Sequence, residues 1–406
     1  MLGDGMLTIR PLAAALNPPE QVAAAVARAG ELLARRGVAH RFVTAAGDAA
    51  DALLIVTGGS EHLALAAAER LEGPVFLLAH AGLNSLPAAL EVLACLRQRG
   101  QPGRILPLED GDPALPRLVR HLDLRRRLRA ARLGRIGAPS EWLVASAPPA
   151  ELVRATWGPE LVDVPIEEVF AAMADADPAE AARIRADAVA GAEAVGEPSP
   201  ADLDAAARVA VALAAVVRAH RLDACAVRCF DLVTRAGTTG CLALSRLQDD
   251  GIVAGCEGDV PAALTLLWLR LAGVGPGFMA NPQAIDPAAG ALWLAHCTVP
   301  RRLVTRYALR SHFESSQGVA IAGEIPPGPV TVARIGGADL RGLFAADGEV
   351  TASGDDPNRC RTQARVRLDA DLGELLTRPL GNHLVLARGH LSAELREYHE
   401  LFVAAG

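Results

Sequence analysis

A segment in the middle of the chain, residues 224–259, combines two strand-like runs with two acidic residues. The run ACAVRCF precedes Asp231, the run GIVAGC precedes Glu257, and the residues between them have a helical pattern. A strand–helix–strand unit of this kind places its two strands parallel in one sheet. Both carboxylates are therefore predicted at the carboxyl edge of a parallel sheet, where such sheets bind ligands.

A histidine near the other end of the chain, His383 in PLGNHLVLARG, adds a nitrogen donor to these two carboxylates. An O,O,N donor set suits a hard or borderline divalent cation with open positions for substrate oxygens. We therefore predict that Asp231, Glu257 and His383 form a metal site. Taken singly, each has a structural alternative, since either acid could cap a helix and the histidine could be an ordinary core residue.

The pattern of strand-like and helix-like segments changes near residue 300. Strand-like and helix-like segments alternate through residues 1–130 and again through residues 131–299, whereas residues 300–406 read as short strands separated by turns. Alternation of this kind predicts parallel sheets, and closely spaced short strands predict an antiparallel sheet or small barrel. The predicted fold is α/β, with two doubly wound, Rossmann-like domains followed by a mostly antiparallel β domain.

Several separated motifs resemble the L-fucose/L-arabinose isomerase superfamily, in particular the short fucose-isomerase-like proteins. They occur in order over nearly the whole chain: LLIVTGGSEH, NSLPAALEVLA, RIGAPSEWLV, CFDL, CEGD, HCTVP, SHFESSQGVAIAG, NRCRTQ and GNHLVLARG. The chain departs from that pattern in being shorter than L-fucose isomerase proper. It also has Asp231 where arabinose isomerases have Glu.

The resemblance implies an activity and a cofactor. The activity is aldose–ketose isomerisation of a sugar related to fucose or arabinose, through a metal-stabilised enediolate. Asp231, Glu257 and His383 would bind the metal, typically Mn²⁺, with Co²⁺ or Mg²⁺ as alternatives. The two carboxylates would also act as the acid/base pair. A homo-oligomer, trimer or hexamer, is implied as well, in which the first domain covers the neighbouring subunit's site.

Five further polar residues are candidates for contacts with sugar hydroxyls. His312 and Glu314 in SHFES share one strand face if that segment is extended, and so do Arg361 and Gln363 in RCRTQ. Asn281 is placed near a strand end. The alternative for His312 and Glu314 is a salt bridge on the strand face.

Two other polar residues near the predicted metal site receive structural roles. Asp259, two positions after Glu257, is expected to cap the following helix or to hold a metal ligand from behind. His296 in AHCTVP is expected to be a buried histidine with its hydrogen bonds satisfied.

The absence of lysine narrows the possible chemistry, because all 40 basic residues are arginine. Schiff-base catalysis on a lysine is excluded, and so is a phosphate-binding loop of the GxxxxGK[ST] type. The net charge of −7 gives no basis for a nucleic-acid partner. The expected partner is a small sugar.

The seven cysteines form no CxxC pair, and we interpret them as buried thiols of a protein in a reducing cytoplasm. Cys225 and Cys229 have a spacing that could also face one metal. No signal peptide or membrane-spanning run is apparent, so the sequence predicts a cytoplasmic protein without a membrane partner.

Two other functions remain open at this stage. Two α/β domains can form a clamp that binds a sugar without changing it. The same metal site could instead support epimerisation or aldol cleavage of a sugar.

Overall fold

The computed structural model describes residues 5–45, 47–109 and 113–404. The chain divides into two compact units, one of residues 1–126 with 397–406 and one of residues 127–396. Residues 1–4, part of the segment predicted to carry no signal peptide, lie outside the described residues. None of the helices in the described part of the chain has the length and apolarity that crossing a bilayer requires.

The first unit is built on a parallel sheet of five strands in the order β2-β1-β3-β4-β5. The strands β3 and β4 are buried at every position, as expected of apolar runs inside a parallel sheet. The predicted alternation is confirmed here. The elements are β1 (Leu7–Leu12), α1 (Pro19–Arg35), β2 (His40–Phe42), β3 (Ala52–Ile55), α2 (Glu61–Ala68), β4 (Val75–Ala79), α3 (Ser85–Gln98), β5 (Gly103–Pro107) and the start of α4 (Ala114–Ala130).

The second unit begins with a parallel sheet of four strands in the order β10-β9-β6-β7. The strands β9 and β10 are direct neighbours, as the sequence predicted. The elements are β6 (Arg132–Ile136), α5 (Ala150–Thr156), β7 (Glu160–Val164), α6 (Ile166–Ala174), α7 (Pro178–Gly191), β8 (Ala194–Val195), α8 (Pro200–Ala219), β9 (Ala224–Val227), α9 (Phe230–Ala236), α10 (Cys241–Asp249), β10 (Val253–Gly255) and α11 (Val260–Leu271).

The same unit continues into a closed antiparallel barrel in the order β11-β12-β17-β16-β15-β18. A separate sheet of three strands, in the order β14-β13-β8, joins the short strand β8 to two strands from the C-terminal region. The elements are β11 (Phe278–Asp286), β12 (Ala291–His296), β13 (Tyr307–Arg310), β14 (Ala320–Gly323), β15 (Gly328–Gly336), β16 (Gly342–Ser353), β17 (Thr362–Leu368), α12 (Gly373–Thr377), β18 (Leu384–Arg388) and the start of α13 (Ser392–His399).

The barrel takes in two strands, β11 and β12, that precede residue 300, where the sequence predicted the β-rich domain to begin. Pro282 and a register shift between Pro282 and Ala284 interrupt the strand pattern of β11, because proline cannot donate to the ladder. The mixture of parallel sheets and an antiparallel C-terminal barrel agrees with the predicted fold class. The division into three domains at residues 130 and 299 remains a prediction.

Candidate functional site

The local backbone around Glu257 is unusual. Glu257 follows β10 and has a φ of 60°, a conformation that non-glycine residues rarely adopt. Gly258 also has a positive φ, and a Cβ at this position would lie 2.7 Å from the Cα of Pro139. The Gly258 amide donates to Val227 at the end of β9, and Ser140 donates to the Glu257 carbonyl. The strained turn therefore fixes the direction of the Glu257 side chain.

Three buried side chains converge at this turn. His383 Nε2 lies 3.3 Å from Glu257 Oε1, and His296 Nε2 lies 3.9 Å from the same oxygen. One ligand atom from each of the three residues lies within 4.8 Å of the others. We call Glu257, His296 and His383 the trio. The strand β12 ends at His296 and His383 directly precedes β18, so the barrel positions both imidazoles.

The trio has a supporting network on the side of His383. The Asp259 carboxylate lies 2.9 Å from His383 Nδ1 and accepts a hydrogen bond from Arg334 at 2.8 Å. Both Asp259 and Arg334 have completely buried side chains. Asp259 also accepts from the amide of Ala262 and caps α11, so its predicted capping role is confirmed.

The second oxygen of Glu257 has a partner that sequence reasoning did not identify. The indole of Trp142 donates to Glu257 Oε2 at 2.6 Å. The ring of Trp142 lies edge-on to Phe230, with the ring centroids 4.9 Å apart. The only sequence signal was the position of Trp142 in the motif RIGAPSEWLV, which the resemblance had singled out.

The trio fits a divalent cation. The Nε2 of His383 is buried and has no hydrogen-bond partner among the described residues, while Nδ1 faces a carboxylate. A carboxylate behind an imidazole is the usual arrangement at a metal-binding histidine. On His296, Nδ1 contacts the Thr298 hydroxyl at 2.9 Å, which leaves Nε2 toward Glu257. One oxygen and two nitrogens suit Mn²⁺, Co²⁺ or Zn²⁺.

Burial and the neighbouring charged groups shift the pKa values of all three residues of the trio. Burial by itself would raise the pKa of Glu257, but the two imidazoles outweigh this and lower it below its usual range. Burial lowers the pKa of His296. Burial would do the same for His383, but Asp259 and Glu257 raise its pKa instead. Glu257 is therefore a carboxylate at neutral pH, the state that binds a cation.

Asp231, predicted as a metal ligand, lies elsewhere. The strand β9 ends at Val227, earlier than ACAVRCF suggested, and Asp231 lies in the first turn of α9. Its carboxylate accepts from Arg228 at 2.7 Å and lies 3.6 Å from Arg235. The group of described residues whose ligand atoms lie close enough to hold an ion consists of the trio and does not include Asp231. Its role as a ligand stays a prediction.

A small cavity adjoins the trio. Its volume is about 40 Å³, and Glu257, His296, Asn281, His312 and Glu314 contribute to its lining. Three predicted substrate residues are therefore brought to one place. However, His312 and Glu314 lie in a turn after β13 and not on a strand face, because β13 already ends at Arg310.

The other two predicted substrate residues hold the chain in place. Arg361 donates to the Ser311 carbonyl at 2.8 Å, next to His312. Gln363 is buried, donates to the Asp356 carbonyl and accepts from the Asp356 amide. Neither contributes to the cavity lining. Their contact with substrate stays a prediction.

The state of His312 leads to a testable pH dependence. Burial, and then the nearby His296, lower the pKa of His312 to about 4 from 6.5. Between those two pH values the unfolded chain binds more protons than the folded one, so the folded state loses stability as the pH falls. The free energy of unfolding should decrease by on the order of 3 kcal/mol for this group across that window.

The measurement is urea denaturation at several pH values between 4 and 7, the range set by the pKa of His312. The variant His312→Asn should show a shallower decrease than the wild type. The exposed His390 provides a control, because His390→Asn should leave the decrease unchanged. Equal decreases in the wild type and in His312→Asn would contradict the prediction.

Comparison with known proteins gives a local similarity. No family model matches the chain. The chain is 31% identical over 83 residues to a sulfoquinovose isomerase of Priestia megaterium, which is 20% of this chain and 19% of that protein. It is 35% identical over 83 residues to a sulfoquinovose isomerase of Clostridium sp. strain MSTE9, covering 20% of this chain and 18% of the relative.

These matches span about a fifth of the length of the curated relatives. A sulfoquinovose isomerase of Priestia aryabhattai gives the same 31% identity over 83 residues. Part of the chain is thus similar to sugar isomerases, the class of protein that the sequence motifs resemble.

Proposed function

We propose that this protein is an aldose–ketose isomerase that acts on an open-chain sugar and binds its divalent cation through Glu257, His296 and His383. The observation that carries the proposal is the trio, in which three buried donors converge and His383 Nε2 has no hydrogen-bond partner among the described residues. The similarity over 83 residues to sulfoquinovose isomerases supports the reaction class.

A cation bound there supplies the Lewis-acid polarisation that the sugar carbonyl needs. The protein supplies orientation. Trp142 fixes one oxygen of Glu257 by its N–H group, and Asp259 holds the ring of His383 so that Nε2 faces Glu257. Burial of the trio excludes water and strengthens every charge interaction at the site.

The reaction also moves a proton between C1 and C2 of the sugar. Glu314 lines the same cavity with an exposed side chain, and its partial burial together with the charge of Glu257 raises its pKa. A carboxyl group with a raised pKa is a better proton carrier near neutral pH, so we assign proton transfer to Glu314. The motif resemblance implied this role for Asp231 and Glu257. That assignment would require Asp231 to leave Arg228.

The polar lining suits recognition of sugar hydroxyls. With a pKa of about 4, His312 is neutral at pH 7, so its ring can donate or accept a hydrogen bond. Asn281 presents a side-chain amide that already accepts from Asn382 at 3.1 Å.

The motif resemblance favours a sugar related to fucose or arabinose, whereas the curated relatives are named for sulfoquinovose. Manganese as the native metal and a trimeric or hexameric assembly remain proposals.

The test is turnover of a panel of free aldoses in D₂O by metal-depleted protein reloaded with Mn²⁺. The panel includes fucose, arabinose and sulfoquinovose. A ketose should form from at least one sugar, with solvent deuterium at the carbon that exchanges its proton, and chelation should abolish it. Sugar binding without any ketose would favour a non-catalytic binding protein, and a C2 epimer as product would favour an epimerase.

A further inference from the structure

The wall of the candidate cavity is rich in thiols. Five of the seven cysteines contribute to it, and all are free: Cys229, Cys241, Cys256, Cys297 and Cys360. The isomerase chemistry proposed above uses none of them. The Sγ atoms of Cys229 and Cys256 lie only 2.8 Å apart. We propose that this pair is a modification site, at which a peroxide converts the two thiols into a disulfide next to Glu257.

The fold brings the two cysteines together. Cys229 follows β9 by two positions, Cys256 directly follows β10, and these strands are parallel neighbours with Ala226 opposite Gly255. Continuing this register, Cys256 stands opposite Val227, and the chain turns after β9 so that the Cys229 amide donates to the Val227 carbonyl. This turn brings the Cys229 sulfur within 2.8 Å of the Cys256 sulfur. The sulfur atoms need to approach by less than about 1 Å to reach the bonding distance of about 2.05 Å.

Burial of the two sulfur atoms selects for a small oxidant. Cys229 and Cys256 lie in the cavity wall and are each only 5% exposed. Hydrogen peroxide is only slightly larger than water, whereas glutathione disulfide must bring a bulky S–S bond into contact with a thiol sulfur. A peroxide can therefore reach sulfur atoms that a bulky disulfide cannot.

The chemistry balances in two steps. One sulfur attacks the O–O bond of the peroxide, which gives a sulfenic acid and releases one water. The second thiol attacks that sulfur, forms the S–S bond and releases the second water. Two thiols are oxidised and one hydrogen peroxide is reduced. The first step is slow, because both thiols are buried in the cavity wall and only the thiolate form is a good nucleophile.

The disulfide would alter the trio. The amide of Glu257 contacts Cys229 Sγ at 3.4 Å, and Glu257 directly follows Cys256. Drawing the two sulfurs together moves the strained backbone that directs the Glu257 carboxylate. This consequence rests on the proposed function, and we expect Mn²⁺ affinity to fall by at least roughly tenfold, as when a supporting contact of a metal ligand is lost.

The experiment treats the purified full chain with hydrogen peroxide, blocks remaining thiols under denaturing conditions and maps the digest by mass spectrometry. A linked peptide pair containing Cys229 and Cys256, two hydrogens lighter than the separate peptides, is expected. The link should be absent from Cys256→Ala and present in Cys95→Ala, since Cys95 is partly exposed and lies outside the cavity. Glutathione disulfide should leave the pair unmodified.

Recovery of Cys229 and Cys256 as separate blocked thiols, in wild-type protein whose Cys95 has been oxidised, would overturn the proposal. So would a link from Cys229 to Cys241 in place of Cys256. A second arm compares Mn²⁺ affinity before oxidation, after it and after reduction. A mapped disulfide without loss of affinity would overturn the effect on the trio. If reduced protein binds no Mn²⁺, the proposed function fails, while the mass measurement still decides the disulfide.

Discussion

Replacing Glu257 by Gln is expected to weaken Mn²⁺ binding at least about tenfold and to remove isomerase turnover. The substitution keeps the size of the side chain, and the amide oxygen can still accept from Trp142, but the negative charge is lost. The lost charge lies between the two imidazoles, because Glu257 Oε1 is 3.3 Å from His383 Nε2 and 3.9 Å from His296 Nε2. A cation bound by the trio would therefore lose its negatively charged ligand. Calorimetric Mn²⁺ titration and a ketose assay measure the two effects.

The control for this variant is Glu349→Gln, which changes an exposed carboxylate on β16 to the same amide. It should bind Mn²⁺ and turn over sugar like the wild type. Unchanged Mn²⁺ affinity in Glu257→Gln would remove Glu257 from the metal site. Lost turnover with unchanged affinity would assign Glu257 to proton transfer only.

Asp259→Ala should destabilise the folded protein strongly, by about 3–5 kcal/mol. It leaves the guanidinium of Arg334 buried without its carboxylate partner, at a position where both side chains are fully inaccessible to solvent. It also removes the cap of α11, which accepts from the amide of Ala262. Urea denaturation measures the loss, and Mn²⁺ titration should show a weakened site because His383 loses its support.

The matched control is Asp369→Ala, which breaks the pair of Asp369 with Arg367 at 3.2 Å. Both of those side chains are at least half exposed, so the expected change is within about 1 kcal/mol. Equal losses in the free energy of unfolding would show that the buried pair of Asp259 with Arg334 stabilises the fold no more than an exposed pair does.

The same pair has a pH signature. Burial alone would raise the pKa of Asp259, but Arg334 and His383 outweigh it and lower the pKa to about 2, from 3.8. Because the folded-state pKa is the lower one, the stabilisation is complete above pH 3.8 and is lost as the pH falls toward 2. This loss occurs at more acidic pH than the one expected from His312.

The sequence predicts those parts of the site whose position depends on two strands that are close together in the chain. Two short apolar runs separated by helical sequence predict that β9 and β10 pair, and Glu257 then stands at the sheet edge. The capping role of Asp259 also follows from the local pattern. His383 lies 126 positions after Glu257, and it entered the predicted site as the nitrogen donor of an O,O,N set, with support from the motif resemblance.

The parts that sequence reasoning missed depend on long-range packing. His296 reads as an ordinary buried histidine, because nothing local shows that β12 belongs to a barrel and ends beside Glu257. The sequence pattern predicts Asp231 as the first residue after a strand. In the structure the helix α9 begins at Phe230, so Asp231 lies in its first turn and its carboxylate accepts from Arg228. A shift of two or three residues in a strand end is enough to change which side chain faces the site.

Mn²⁺ titrations of His296→Ala and Asp231→Asn, run beside the wild type, test the central claim most directly. The geometry places His296 in the trio and Asp231 in an ion pair with Arg228, while the sequence pattern placed Asp231 at the metal. The trio predicts that His296→Ala weakens Mn²⁺ binding at least about tenfold and that Asp231→Asn stays close to the wild type. Wild-type affinity in His296→Ala together with lost affinity in Asp231→Asn would contradict it.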